Sequence, residues 1–441
     1  MRVIVRLGVL IVAAATVLAG CTRPARPAHI IDEDGRIVIY HGVNVSGSAK
    51  GDPNHLPWQS REDLARMREW GFNHVRYLMF WEAVEPEKGV YDDAYIASAL
   101  ERFGWLDELG IDVIVDLHQD LYGRRFDSHG FPDWATDDGG VPFTRLHPWN
   151  LNYFTRAMGT AFDNFWRSDD LKGSYVTMVE YLLGKIDGTP NVVGLDIMNE
   201  PWPCHGLQFE TKYLTGFYED IQAMRRGNGF KTPLFFEPIV VATVALPSML
   251  RFEPDSDCVY YPHYYDPMCH EGRPYTWTGK HLLRATVRQR VLEANRFGTP
   301  LMFGEFGISA AVDGYEAYLT DFFDLMNEYD LGWSYWSYDK GGFGLLEGNG
   351  EPGGQMRYLV YVYPQRIAGR NPDIEYGEGR FELGYDPIDT DAPTVVFVPP
   401  DLRNVRVTIN GEPVAFEPGS FRVTLMNKDA TDRQHVRVEW D

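Results

Sequence analysis

The chain has 441 residues, 44% of them hydrophobic and 24% charged, with 63 Asp and Glu against 41 Lys and Arg for a formal net charge of −22. That length excludes a lone small module and favours two domains, and the composition excludes a disordered or multi-spanning chain. The acidic balance gives no electrostatic reason to approach phosphate backbones, so nucleic acid is not expected as a partner.

At the N-terminus, Arg2 and Arg6 precede an apolar stretch from Leu7 to Leu18, followed by Ala19, Gly20 and Cys21. A charged region, an apolar region and small residues at a cleavage point make residues 1–20 an expected export signal. The stretch is too short and Ala-rich for a membrane span. Leu18-Ala19-Gly20-Cys21 resembles a bacterial lipobox, which implies lipidation of Cys21, a short tether over 21–28, and a bacterial protein that is exported and either anchored or secreted. Anchoring at a membrane surface would rest on the lipid, because an acidic surface is repelled by anionic headgroups.

Eight β-branched, apolar runs follow: Ile37–Val45, Asn73–Leu78, Asp112–Leu117, Val192–Met198, Leu234–Ile239, Cys258–Tyr265, Leu301–Phe306 and Gly332–Trp336. Helical patterns separate several of them, at Arg61–Glu69, Ala94–Leu109, Leu214–Arg226, His281–Phe297 and Gly314–Glu328. Short apolar strands alternating with helices predict a parallel sheet covered on both faces, and eight units without a Gly-rich dinucleotide loop predict an α/β fold of the (β/α)8 TIM-barrel type over 29–353. The stretch from Gln119 to Thr189 is too long for a simple crossover and is expected to build part of the binding site. From 354 to 441, short alternating runs with turn signals such as Asn410-Gly411, Pro418-Gly419 and Asn427-Lys428-Asp429 predict a small all-β sandwich.

In a barrel, chemistry sits where strands end at the C-terminal face. Those ends carry Arg76, His118, Asn199-Glu200-Pro201, His263 with Tyr265, Glu305 between Gly304 and Phe306, and Trp336. Two glutamates on one face are the pair a glycosidase needs, one protonating the leaving oxygen while the other attacks the anomeric carbon. Taken singly, Glu200 also reads as a helix N-terminal residue, and His118 and His263 as hydrogen-bonded supporting histidines. No His-Glu-x-x-His or clustered-cysteine spacing points to zinc, so no metal and no cofactor are expected.

The Asn199-Glu200-Pro201 run, Glu305, Arg76, His118, His263, Tyr265 and Trp336 together resemble glycoside hydrolase family five, a retaining group of (β/α)8 barrels. Asp116-Leu117-His118-Gln119-Asp120-Leu121-Tyr122-Gly123, Phe236-Glu237-Pro238 and the trailing β domain resemble the endoglycoceramidases of that family, which release intact oligosaccharide from ceramide. The resemblance implies Glu200 as acid/base and Glu305 as nucleophile. It also implies Arg76, His118, Asn199, His263, Tyr265 and Trp336 as supporting residues, Lys50 as a sugar contact in the loop after the first strand, a glycosphingolipid as substrate, and a monomer. Family members acting on soluble β-glycans, simple glucosyl lipids or steryl glucosides share these motifs, and a catalytically dead sugar-binding lipoprotein is disfavoured by the presence of both glutamates.

A ceramide substrate requires an apolar groove beside a polar sugar pocket, with expected walls at Phe131, Trp134, Trp277, Phe343, Leu345 and Leu346 and in the Leu121–Phe143 stretch. Cys258 and Cys269 lie too far apart along an extended run to pair. Cys204 and Cys269 each follow an upper strand end by four residues, and a disulfide between them is expected to tie two loops of the site.

Overall fold

The computed structural model describes residues 23–203, 208–416, 420–427 and 432–441. The expected export signal, Cys21, Cys204 and the Pro418-Gly419 turn lie outside these residues.

Eight parallel strands form the barrel: β1 (His41–Val45), β2 (His74–Met79), β3 (Asp112–Leu117), β4 (Val192–Asp196), β5 (Leu234–Phe236), β6 (Val259–Tyr260), β7 (Met302–Phe306) and β8 (Gly332–Tyr335). Their order is β6-β5-β4-β3-β2-β1-β8-β7, and single parallel bridges from Tyr260 to Leu301 and from Tyr264 to Phe306 close the ring between β6 and β7. The sixth strand is much shorter than the apolar run Cys258–Tyr265. Its upper half bends into the site and meets β7 where the Gly304 N–H donates to the Pro262 carbonyl at 3.1 Å and the Tyr264 N–H to the Glu305 carbonyl at 2.9 Å.

Every residue of β2 is buried, and their side chains alternate in direction. Val75, Tyr77 and Met79 pack in the main apolar cluster shared with the surrounding helices, whereas His74 and Arg76 find partners across the lumen. Tyr40, Ile114, Phe235, Val259, Tyr261 and Met302 form a separate apolar cluster below the polar layer. The helix Arg61–Glu69 starts at a capping box in which Ser60 and Asp63 satisfy each other's backbone N–H groups, a stop-and-start signal written directly in the sequence.

The long segment after β3 divides in two. Residues 119–155 form an irregular layer over the barrel mouth, and Arg156–Arg167 and Asp169–Ile186 are helices. Ala157, Met158, Ala161, Phe162, Phe165 and Trp166 bury one face of the first of these helices. That helical spacing lies within the stretch read from sequence as a binding excursion, so only its first half has that character.

The C-terminal residues form one five-stranded sheet and three of the five strands of a second, around one apolar core that includes Ile367, Phe381, Val396, Phe397, Val407 and Val438. The domain boundary differs from the expected 29/354 division. Ile30–Ile31 and Ile37–Val38 are short antiparallel strands, and the second pairs with Tyr363–Ile367. The first apolar run is therefore split, with Ile37–Val38 in the sandwich and only His41–Val45 in the barrel. Asn410 and Gly411, both at positive φ, make the two-residue turn between Arg406–Ile409 and Glu412–Val414. The sandwich meets the lower end of the barrel: the Tyr363 hydroxyl donates to the Gly71 carbonyl at 2.6 Å, and Arg366 pairs with Asp112 at 2.8 Å. The upper mouth is left to the barrel loops.

Candidate active site

Arg76 lies in the middle of β2, not at its end, and is fully buried in the lumen. Its Nη1 donates to Glu305 Oε1 at 2.7 Å and to Asn44 Oδ1 at 3.0 Å. Nε and Nη2 reach Asp196 Oδ2 at 3.0 and 2.7 Å, and Nη2 also reaches Asn199 Oδ1 at 2.8 Å. Asp116 at 2.9 Å and Glu237 at 3.4 Å complete the surroundings. Burial alone would lower the pKa of this guanidinium, but four carboxylates on β3, β4, β5 and β7 raise it well above its ordinary value. Burial, with Asp116 adding to it, pushes Asp196 up to about 6 despite Arg76.

Glu200 follows β4 through Asn199 and holds a left-handed backbone, φ +44°. For a residue with a Cβ this conformation costs roughly 1–3 kcal/mol and persists only where neighbours over-determine it. Here they do. The Glu200 N–H donates to Glu237 Oε2 at 3.0 Å, while Gln119 Nε2 donates to the carbonyls of Asn199 and Glu200 at 3.0 and 3.1 Å. Asn199 returns a bond from Nδ2 to the Gln119 carbonyl at 3.0 Å.

The side chains of Glu200 and Glu305 converge on His263. Its Nδ1 is 3.1 Å from Glu200 Oε1 and 3.7 Å from Glu305 Oε2, and the Tyr265 hydroxyl donates to Glu305 Oε2 at 2.8 Å. One carboxylate oxygen from each glutamate and one nitrogen of His263 all lie within 4.8 Å of one another. Burial disfavours the charged imidazolium, yet the carboxylates of Glu237, Glu305 and Glu200 raise the His263 pKa well above its usual range. A glycine is required next to Glu305, since a Cβ on Gly304 would stand 2.8 Å from His263 Nε2. This close approach gives the flanking glycine of the β7 end a physical reason.

On the other side of the mouth, His118 Nδ1 is 2.6 Å from Asp116, and its ring lies nearly parallel to Trp336 at 5.5 Å between centroids. Lys50 pairs with Asp120 and lies over the Trp336 ring at 4.1 Å. Burial opposes ionisation of Asp120, but the Lys50 ammonium and His118 hold it well below the usual carboxylate range. The loop carrying Lys50 is fixed by Asp339, which accepts from the Gly47 N–H at 2.8 Å and the Ser48 hydroxyl at 2.6 Å. All nine residues expected in the catalytic and sugar-binding set are thus within one connected site.

Other expectations fare differently. Phe131, Leu345 and Leu346 are buried in the main apolar core. Trp134 is half-buried with its indole N–H on the Glu85 carbonyl at 3.1 Å, and Trp277 is exposed. Phe343 stands beside Tyr265, at 6.0 Å between ring centroids. Cys258 and Cys269 are buried free thiols, and with Cys204 outside the described residues the expected bridge has no support. Sequence reasoning assigned no role to Asn44, Asp116, Gln119, Asp120, Asp196 or Glu237. Asp116, Gln119, Asp120 and Glu237 lay in the runs that carried the resemblance, whereas Asn44 and Asp196 sit inside strands with no distinguishing local signal.

Residues 31–342 match the model of the cellulase family, glycosyl hydrolase family 5. The chain is 27% identical over 435 residues to endoglycoceramidase I of Rhodococcus hoagii (strain 103S), covering 92% of this chain and 86% of that one. Endo-glycoceramidase II from a Rhodococcus species in complex with ganglioside GM3 superposes with a TM-score of 0.87 at 28% identity, over 94% of this chain and 99% of the other. The same enzyme solved as a lactosyl-enzyme intermediate superposes with a TM-score of 0.85, also at 28% identity and the same coverage. The barrel with its carboxylate-rich mouth is therefore that of a glycoside hydrolase, and the chain belongs to glycosyl hydrolase family 5.

Proposed function

We propose that the protein cleaves the β-glycosidic bond between oligosaccharide and ceramide in glycosphingolipids by double displacement, with Glu305 as nucleophile and Glu200 as acid/base. The observation that carries the mechanism is the approach of the two carboxylates to within 4.8 Å. That approach suits a retaining pair, whose carboxyls lie about 5–5.5 Å apart, better than an inverting pair at roughly 6.5–9.5 Å. In the first half-reaction a Glu305 oxygen bonds to the anomeric carbon as the bond to the leaving oxygen breaks, and Glu200 gives that oxygen its proton, releasing ceramide as an alcohol. In the second, Glu200 takes a proton from water, the water oxygen bonds to the anomeric carbon, and the ester to Glu305 breaks with net retention.

The choice of ceramide rests on the endoglycoceramidase relatives, one of them solved with a ganglioside. We extend the proposal to export and lipid attachment at Cys21, which would place the enzyme at a membrane surface. Incubation with a lactosylceramide-headed lipid in detergent should yield intact disaccharide and free ceramide, resolved by thin-layer chromatography. Greater activity on soluble β-glucan or a steryl glucoside would overturn the ceramide assignment and leave the two glutamates in place.

We assign Trp336, half-buried and flanked by His118 and Lys50, to the sugar subsite, where an aromatic ring can pack against a sugar's C–H face. Trp336→Ala should lower kcat/KM for an aryl β-lactoside by roughly tenfold or more, mainly through KM. Unchanged steady-state kinetics would remove Trp336 from the sugar subsite.

A further inference from the structure

Glu237 stands at the end of β5 and holds the acid/base residue from two directions. Its Oε2 accepts the backbone N–H of Glu200 at 3.0 Å, and its Oε1 is 3.1 Å from His263 Nε2, whose Nδ1 in turn is 3.1 Å from Glu200 Oε1. Glu237 is itself fixed: Tyr218 accepts its backbone N–H at 3.3 Å and donates to its carbonyl at 2.9 Å. We propose that Glu237 is the positioning residue for the acid/base of this reaction, clamping the Glu200 backbone directly and orienting its side chain through His263.

The chemistry follows from the two ring nitrogens. A histidine that meets a carboxylic group at Nε2 and Glu200 at Nδ1 must present an N–H at Nδ1 to support Glu200 in its charged and its neutral form. Glu237 favours this, because its carboxylate, 3.1 Å from Nε2, stabilises the imidazolium, which carries an N–H at both nitrogens. With Nδ1–H fixed on Glu200 Oε1, the other carboxyl oxygen of Glu200 is left for the glycosidic oxygen and later for water. The pair is surrounded by Glu200 and Asp196 from β4, Glu305 from β7, and Arg76 from β2, with Asp116 from β3 behind Arg76. Burial and Asp196 push Glu237 above the ordinary carboxylate range, and Glu237 in turn helps to hold His263 protonated, both side chains being buried.

The inference rests on the proposed roles of Glu200 and Glu305, and its test separates the two. For Glu237→Ala, kcat/KM on a lactoside with a poor leaving group should fall about 100-fold. On a dinitrophenyl lactoside, whose departure needs no proton, it should stay within about threefold of wild type. Equal losses on both substrates would make Glu237 merely structural, and no loss on either would remove it from the reaction. Glu237→Gln keeps an acceptor for the Glu200 N–H and should recover at least tenfold of the loss on the poor leaving group. Independently of turnover, nitrogen-15 NMR of labelled histidine should show the His263 ring titrating more than about one pH unit lower in Glu237→Gln than in wild type. An unchanged titration would overturn the pairing even if the wild-type enzyme proved inactive on every lactoside, the outcome that would instead defeat the proposed function.

Discussion

Glu305→Gln is expected to reduce turnover of every glycoside, activated or not, on the order of 10⁴-fold or more while leaving the protein folded. The amide is isosteric, and its oxygen can keep the bond from Arg76 while its NH₂ turns toward the Tyr265 hydroxyl, which can accept. What it loses is the negative charge that would make the carboxylate a nucleophile, a loss that no leaving group compensates. Glu200→Ala should behave in the opposite way. Its activity on a dinitrophenyl glycoside should survive in part and rise with added azide, since that leaving group needs no proton and azide needs no base. Steady-state kinetics on matched good and poor leaving groups, with circular dichroism to confirm the fold, separate the two roles. Substantial turnover by Glu305→Gln would remove it as the nucleophile.

The contrast between these residues also explains what the sequence could and could not convey. Glu200 and Glu305 are legible because each sits beside short punctuation, Asn199 and Pro201 for one and Gly304 for the other, at the end of an apolar run. Strand ends are the one place where a barrel sequence announces which residues share a face. Asp196 is different. It lies within β4, and its role comes from Arg76, 120 residues earlier and two strands away. Local patterning carries no trace of such a partner. Nor does it separate a loop aromatic lining a groove from one filling the core, which is why Phe131 and Leu345 were expected at the surface of the site and lie beneath it. The split of the first apolar run is a similar case: nothing in Ile37–Val38 shows that its neighbour is Tyr363–Ile367, more than 300 residues onward.

Arg76 is where the energetic and catalytic arguments meet. Arg76→Met should cost about 3–5 kcal/mol of stability, because it removes the cation from four buried carboxylates and leaves their charges uncompensated. The loss should depend on pH with a definite sign. Burial holds Asp196 near 6 in the folded protein, against an ordinary value of 3.8, and losing Arg76, whose charge pulls it down, raises it further. A carboxyl raised on folding binds more protons in the folded than in the unfolded state, so stability falls as pH rises through the interval between the two values. The deficit of Arg76→Met relative to wild type should therefore be smallest below about pH 4 and grow toward neutrality, read as the difference in Tm at the two ends. Arg76→Lys keeps the charge but offers a single ammonium in place of a planar fork, so it cannot reach Glu305, Asp196 and Asn199 together. It should recover much of the stability while kcat stays reduced by roughly 100-fold, since a nucleophile misplaced by even an ångström loses about that much. A Met variant as stable as wild type at neutral pH would mean that these carboxylates already hold their protons in the folded enzyme, and that the guanidinium serves Glu305 alone.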